Sequence, residues 1–410
     1  MAVRIDEERL RARLTELAEI GRTPDGGVSR FSYGTEHAAA VRRVARWMRE
    51  AGAEPAVDVW GNLFGVVPGE AGALPPIAAG SHLDTVPNGG KFDGALGVLA
   101  AVEAAAALRD AGVRPKHTLL LVAFAEEEGT SYGVGCLGSL GVVGRAPALE
   151  GLHDAAGQSA ADALRAFDTG LPRRSMPMPM AAYLELHIEQ GPVLAARETP
   201  LAAVDAIVGI ARAVFEFTGE ANHAGTTPMD MRRDALWGAA DLVGAVRTIV
   251  RDTGGRAVGT VGRLELSPGA TNVVPGRAAA TVELRSSDAR LLESLRERVE
   301  SDGRACAARY GLALEVRAWR SDTPVPLNRS IHDEIVAAAG DLGWPIVTMS
   351  SWAGHDAKIL GALVPTGMIF VPSVGGVSHS PREQTAWDDV ARGAQVLCRA
   401  MERLDRSQAA

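Results

Sequence analysis

Long uninterrupted apolar runs, basic clusters and paired cysteines are all missing from this 410-residue chain, and each absence removes a class of protein. The most apolar stretch, Gly94 to Leu108, is broken by Glu103, short of the roughly 20 apolar residues that cross a bilayer, so no membrane partner is expected. The first residues, Met1-Ala-Val-Arg-Ile-Asp-Glu-Glu, lack the apolar core of a signal peptide, and a cytoplasmic protein is the expectation. Cys136, Cys306 and Cys398 are odd in number, widely spaced and outside any Cys-x-x-Cys pattern, which implies neither a disulfide framework nor a thiolate zinc site. No run of Lys and Arg is present and the formal net charge is −8, which argues against a nucleic-acid partner. A Gly-x-Ser-x-Gly elbow is absent too, and with it the usual mark of a serine hydrolase.

What is present is enough apolar material, 47% of residues, for a sizeable core, in a chain too long for a single one. The stretch that organises the rest is Gly80-Ser81-His82-Leu83-Asp84-Thr85, reached through the apolar run from Ile77 and followed by Phe92-Asp93-Gly94. A buried strand that ends on polar residues has this pattern. Side chains two apart share a strand face, so His82 and Asp84 are placed to meet, the carboxylate supporting the imidazole. Taken alone, His82 reads equally well as a satisfied core histidine, and the aspartates as turn and cap residues.

Further ligand types stand at the ends of other apolar runs. Thr118 to Ala125 leads into Glu126-Glu127-Glu128-Gly129, and three adjacent carboxylates after a buried strand ask for a compensating cation. Tyr183-Leu-Glu-Leu-His187-Ile-Glu-Gln190-Gly191 puts a histidine at a strand tip, and Gly376-Val-Ser-His379-Ser-Pro381 adds another near the C-terminus. Such a set of carboxylates and histidines suits two divalent metals. Gly133-Val-Gly-Cys-Leu-Gly138 fits the dinucleotide fingerprint, but the strand-to-helix turn carries three glutamates that would repel a phosphate, and packing glycines are the better explanation.

On these motifs, together with Ala221-Asn222-His223-Ala-Gly-Thr226-Thr-Pro-Met, Thr271-Asn272-Val-Val-Pro275 and Ala353-Gly354-His355-Asp356-Ala, the chain resembles over nearly its whole length the two-zinc amidohydrolases. That family includes N-carbamoyl-L-amino acid hydrolases, ureidopropionases and allantoate amidohydrolases, the hydantoinase/carbamoylase branch of the co-catalytic zinc exopeptidases of peptidase family M20. The resemblance implies that His82, Asp93 and His187 hold one zinc, with Asp93 bridging to a second held by Glu128 and His379. Manganese, cobalt or nickel are alternative metals. It also implies that Glu127 is the general base acting on a water between the metals. His223 and Asn272 would stabilise the oxyanion and bind substrate, Arg285 would clamp a substrate carboxylate, and Gln190 and Gly354 would line the substrate site. His355 and Asp356 read as a supporting pair. Two metals about 3.5–4 Å apart acidify a shared water and polarise a carbonyl, which suits an unreactive amide.

The expected reaction is hydrolysis of a linear, non-peptide C–N amide bond in an N-carbamoyl amino acid or related ureido compound; the alternative is a dipeptidase or N-acyl amino acid deacylase. In those relatives an acidic residue usually stands at the position of His187. The chain departs from the family at Trp352, where a glycine is expected, and at Thr130-Ser131-Tyr132, where arginine and phenylalanine are common. Both changes bear on the substrate rather than the mechanism.

Alternating strands and helices before and after the acidic triplet predict an α/β fold with a mostly parallel sheet. Helices are expected over Glu7–Ile20 and His37–Ala51, and a strand pair around Gly61-Asn62. An inserted α+β domain is expected over 207–319, with the catalytic domain formed by 1–206 and 320–410. By resemblance the insertion acts as lid and dimerisation domain in a homodimer.

Overall fold

The computed structural model describes residues 3–407. The strands in chain order are β1 (Glu54–Val57), β2 (Leu63–Val67), β3 (Ile77–His82), β4 (Leu119–Phe124), β5 (Ala182–Ile188), β6 (Ala202–Ile207), β7 (Gly209–Thr218), β8 (Asn222–His223), β9 (Ala257–Ser267), β10 (Val273–Val274), β11 (Arg277–Ser286), β12 (Ala313–Ser321), β13 (Val325–Pro326), β14 (Val347–Ser351) and β15 (Thr366–Val371). The chain divides into two compact units, one formed by residues up to Asp205 and from Leu327 onward, the other by Ala206–Pro326. The return falls at Leu327, later than the pattern at Trp319 suggests, because β12 continues to Ser321 beside β7 and β13 then pairs with the end of β6.

The first unit is built on a mixed sheet in the order β1-β2-β4-β3-β5-β15-β6, with β14 beside β6. Its centre, β4-β3-β5-β15, is parallel throughout, and antiparallel pairs extend it at both edges. Every residue of β3, β4, β5 and β15 is buried, as expected for parallel strands covered on both faces, and this is why β4 reads as an unbroken apolar run. The helix Ala95–Asp110 is buried from Ala95 to Leu108, which accounts for its lack of an apolar stripe. Its one internal acid, Glu103, is fully buried and receives Arg9 through both carboxylate oxygens at 2.7 Å, with the Asp6 N–H at 2.8 Å. Asp6 also caps the helix Glu7–Ala18, accepting the Arg9 N–H, and Glu7 and Glu8 favour its positive end. Among the described residues no helix is long and apolar enough to cross a membrane.

The second unit has its own core. Its antiparallel sheet, in the order β12-β7-β11-β9, alternates buried and open positions along β7, with Ala211, Ala213, Phe215 and Phe217 turned inward against the helices Ala235–Arg251 and Ala289–Arg309. The first of these helices begins at Ala235, where the Asp234 carboxylate caps it by accepting the Leu236 N–H. A separate two-stranded ribbon pairs β8 with β10.

Candidate metal centre

The carboxyl ends of four parallel strands lie side by side, and each delivers a functional group there. His82 is the last residue of β3 and His187 the penultimate residue of β5. The acidic triplet follows β4, and the loop bearing His379 follows β15. In open α/β sheets this edge is where ligands collect. Asp93 arrives from the loop after β3, and the next residue must be glycine. Gly94 sits at a φ of 63°, and a Cβ there would lie 2.5 Å from the His82 ring.

Asp93 is the centre of the cluster. One oxygen, Oδ1, lies 3.3 Å from the Nε2 atoms of both His82 and His187. The other, Oδ2, lies 3.5 Å from His379 Nε2, which is in turn 3.4 Å from Glu128 Oε2. Two groups of metal-type donors therefore share Asp93, namely His82, Asp93 and His187, and Asp93, Glu128 and His379. Both buried imidazoles are oriented from behind by main-chain carbonyls. His82 Nδ1 is 3.0 Å from the Asp84 carbonyl and His187 Nδ1 is 2.9 Å from that of Ile188, so each turns Nε2 toward Asp93.

The electrostatics of this cluster call for cations. Burial opposes the charged form of His82, but Glu127, Asp93 and Asp84 outweigh it and raise its pKa. His379 is pushed up to about 9, chiefly by its hydrogen bond to Asp93. Glu127 and Glu128 are pushed up by burial and by neighbouring carboxylates, Glu128 to about 7. Buried carboxylates and imidazoles that perturb one another in this way are what a donor set made for divalent ions presents. A further sign is Gln190. Its Nε2 donates to Asp93 Oδ2 at 2.8 Å, while its Oε1 is buried with no partner among the described residues.

The Asp84 carboxylate was expected against the His82 imidazole, but its nearest oxygen is 3.8 Å from that ring. It accepts instead the Glu127 N–H through one oxygen and the Glu128 N–H through the other, both at 3.1 Å. Two main-chain donors converging on one buried carboxylate satisfy it better than a single ring nitrogen. Glu127 turns its side chain toward His82, with Oε2 3.7 Å from Nε2, and its Oε1 is met by the Cys136 thiol at 3.5 Å. Glu126 is buried and accepts the Tyr132 N–H. His355 packs edge-on against His187 with ring centres 4.6 Å apart, and Asp356 accepts the Ser139 hydroxyl at 2.6 Å. Gly354 is in the exposed loop just before them.

His223, Asn272 and Arg285 all belong to the second unit. His223 is exposed on β8, and its Nδ1 accepts the N–H groups of Gly225 and Thr226, which leaves Nε2 as the outward donor. The Asn272 carbonyl accepts the Ala224 N–H at 2.9 Å, so the two motifs are neighbours. Arg285, on β11, is paired with Glu283 at 2.7 Å.

Several contributors carry no signal strong enough to find them in the sequence. Ser378 donates to Asp93 Oδ2 at 2.9 Å, and Glu383 accepts the Phe92 and Asp93 N–H groups. Glu185 accepts the Ser81 hydroxyl and is grouped with His187 and His355; its place two residues before His187 on one strand face was the available clue. Glu126, Gln190 and His379 have φ values of 56°, 60° and 53°, a conformation uncommon outside glycine and concentrated at functional sites.

The model of peptidase family M20/M25/M40 matches residues 78–403. An N-carbamoyl-L-amino acid amidohydrolase of Geobacillus stearothermophilus is 39% identical over 96% of this chain and 97% of its own length. The allantoate amidohydrolase of Escherichia coli is 35% identical over 93% of this chain and 94% of its own length. The solved structure of a hydantoinase/carbamoylase family amidase from Burkholderia multivorans superimposes with a TM-score of 0.94 at 34% identity, covering 98% of both chains. With the donor cluster at the sheet edge and a match of this extent, the chain belongs to peptidase family M20/M25/M40, within its hydantoinase/carbamoylase branch of amidohydrolases.

Proposed function

We propose that this enzyme hydrolyses the linear amide bond of an N-carbamoyl amino acid or a related ureido compound, using two divalent metal ions per chain, zinc first among them. The observation that carries the reading is the placement of Asp93 between His82 and His187 on one side and Glu128 and His379 on the other. Names of relatives point the same way, among them N-carbamoyl-L-amino-acid amidohydrolase of Paenarthrobacter aurescens and ureidoglycolate hydrolase of Arabidopsis thaliana. Held by these five residues, divalent ions would supply Lewis acidity for the carbonyl and for the attacking water.

The chain's own groups do the rest. Glu127 takes the water's proton and returns it to the leaving nitrogen; burial raises its affinity for a proton, which favours the first of these transfers. Gln190 has an unsatisfied acceptor, Oε1, that suits the N–H groups of a ureido end. His223, with Nε2 outward, and Asn272 act on the oxyanion and the substrate, and Arg285 clamps the substrate carboxylate by sharing its fork with Glu283. Gly354 lines the same site. His223 and Asn272 serve the metals of a partner copy in a homodimer, since they stand in an insertion remote in sequence from every ligand.

A hydrolysis screen of N-carbamoyl amino acids, ureidoglycolate-type compounds and dipeptides on metal-loaded protein tests the reaction. Metal-dependent release of the amino acid from carbamoyl or ureido substrates is expected, and turnover of dipeptides alone overturns the proposal. Mixing inactive His223→Ala chains with inactive Glu127→Gln chains restores activity if sites are shared; a monomer by light scattering with full activity overturns the dimer.

A further inference from the structure

We propose that Glu383 is a positioning residue that locks the Asp93 loop and the His379 loop into one ligand array and thereby sets the affinity for metal. The inference rests on the reading of Asp93 and His379 as ligands. Glu383 is 2% exposed and lies in the segment between β15 and the helix Trp387–Ser407. Its Oε1 accepts two consecutive main-chain N–H groups, those of Phe92 at 2.9 Å and Asp93 at 3.1 Å. Its Oε2 is 3.0 Å from the Ser378 hydroxyl, which is also 2.9 Å from Asp93 Oδ2. One carboxylate therefore grips the backbone of Asp93 and lies against Ser378, whose single hydroxyl proton is shared between it and the Asp93 side chain. Ser378 immediately precedes His379, so the same grip fixes the approach of that imidazole.

The opposite wall is shaped to admit this carboxylate. A Cβ on Gly90 would lie 1.9–2.3 Å from the Glu383 carboxyl atoms, a separation no real contact tolerates. Gly90 thus leaves the space that Glu383 fills, and both belong to loops that bear proposed ligands. Groups that orient ligands from behind typically change metal affinity by about 10–100-fold when removed.

Competition between the protein and a chelator for cobalt(II), read with the visible spectrum of the cobalt-loaded protein, tests the proposal. Glu383→Ala is expected to bind cobalt at least about tenfold more weakly and with an altered spectrum. Glu383→Gln, whose amide oxygen still accepts both N–H groups, is expected to recover most of the affinity. Gly90→Ala reaches the same carboxylate from the other side and is expected to reproduce the Glu383→Ala defect, which keeps the test open if Glu383→Ala does not fold. Wild-type affinity and spectrum in Glu383→Ala or in Gly90→Ala overturn the role of Glu383. Failure of the wild-type protein to bind cobalt overturns the underlying metal reading instead.

Discussion

Asp84 holds the main chain of Glu127: one carboxylate oxygen accepts the Glu127 N–H at 3.1 Å while the other accepts that of Glu128 at the same distance. A residue at the end of β3 thus sets where the acids that follow β4 begin. Asp84→Ala leaves two part-buried N–H groups without acceptors, each costing up to about 1–3 kcal/mol. Urea denaturation of the metal-free variant is expected to show a loss in that range or larger. Turnover at saturating metal is expected to fall more than about tenfold, since the loss reaches Glu127, the proposed base, through its backbone. Unchanged stability and turnover would show that water replaces the carboxylate.

Glu127 and Glu128 are adjacent, yet their proposed roles separate under one substitution. Glu127→Gln keeps the shape of the side chain but cannot carry a proton. Metal content is expected to stay at the wild-type level, approaching two equivalents, while kcat falls by about 10²–10⁴-fold. Full metal content with near-normal turnover would remove Glu127 from the mechanism.

A buried histidine outside the donor cluster makes stability depend on acid. His37 is fully buried, accepts the Tyr33 N–H on Nδ1 at 3.0 Å and stacks on Phe167. Burial first, and the Arg30 charge second, lower it to about 3. An unfolded histidine titrates near 6.5, so between those values the unfolded chain binds more protons than the folded one. The contribution is therefore fully present above about pH 6.5 and is lost as pH falls toward about 3, by up to about 1.4 kcal/mol per pH unit. His37→Gln is expected to flatten the slope of unfolding free energy between about pH 4 and 6, measured by urea denaturation. Equal slopes in both proteins would place the acid sensitivity elsewhere.

Much of the molecule is legible because buried parallel strands announce themselves. Ile77–His82 and Leu119–Phe124 are apolar on both faces, so a histidine or an acid at their ends stands out against its surroundings. Gathering His187 and His379 into the same place needed the family's motifs, since no local pattern says that β15 lies beside β5. Glu383 and Ser378 were out of reach for the same reason. Their partner Asp93 is 290 and 285 residues away, and a glutamate after Ser-Pro-Arg looks like any surface acid until the fold closes over it. The true partners of Asp84 were hidden by a different cause. Sequence spacing says which side chains share a strand face, but not that a crossing loop will offer two N–H groups to one of them.

Trp352 stands where the family resemblance leads to the expectation of a glycine, and its position gives that difference consequences. It is half-buried in the loop between β14 and the helix Asp356–Leu360, next to Ser351, whose hydroxyl is 2.9 Å from His355 Nε2. His355 in turn packs against His187, so the loop is anchored to the donor cluster. An indole in place of a glycine must take volume from a pocket or find it in the packing of the unit, because interiors have little free space. If it takes pocket volume, it favours smaller substrates, or flat ones that stack on the ring, over bulky side chains. Trp352→Gly is then expected to raise kcat/KM for large N-carbamoyl amino acids relative to small ones, by a factor of about 10 for each 1.4 kcal/mol of relieved contact, with metal content unchanged. A constant size preference combined with a lower Tm would show that the indole packs the fold and leaves substrate choice to other residues.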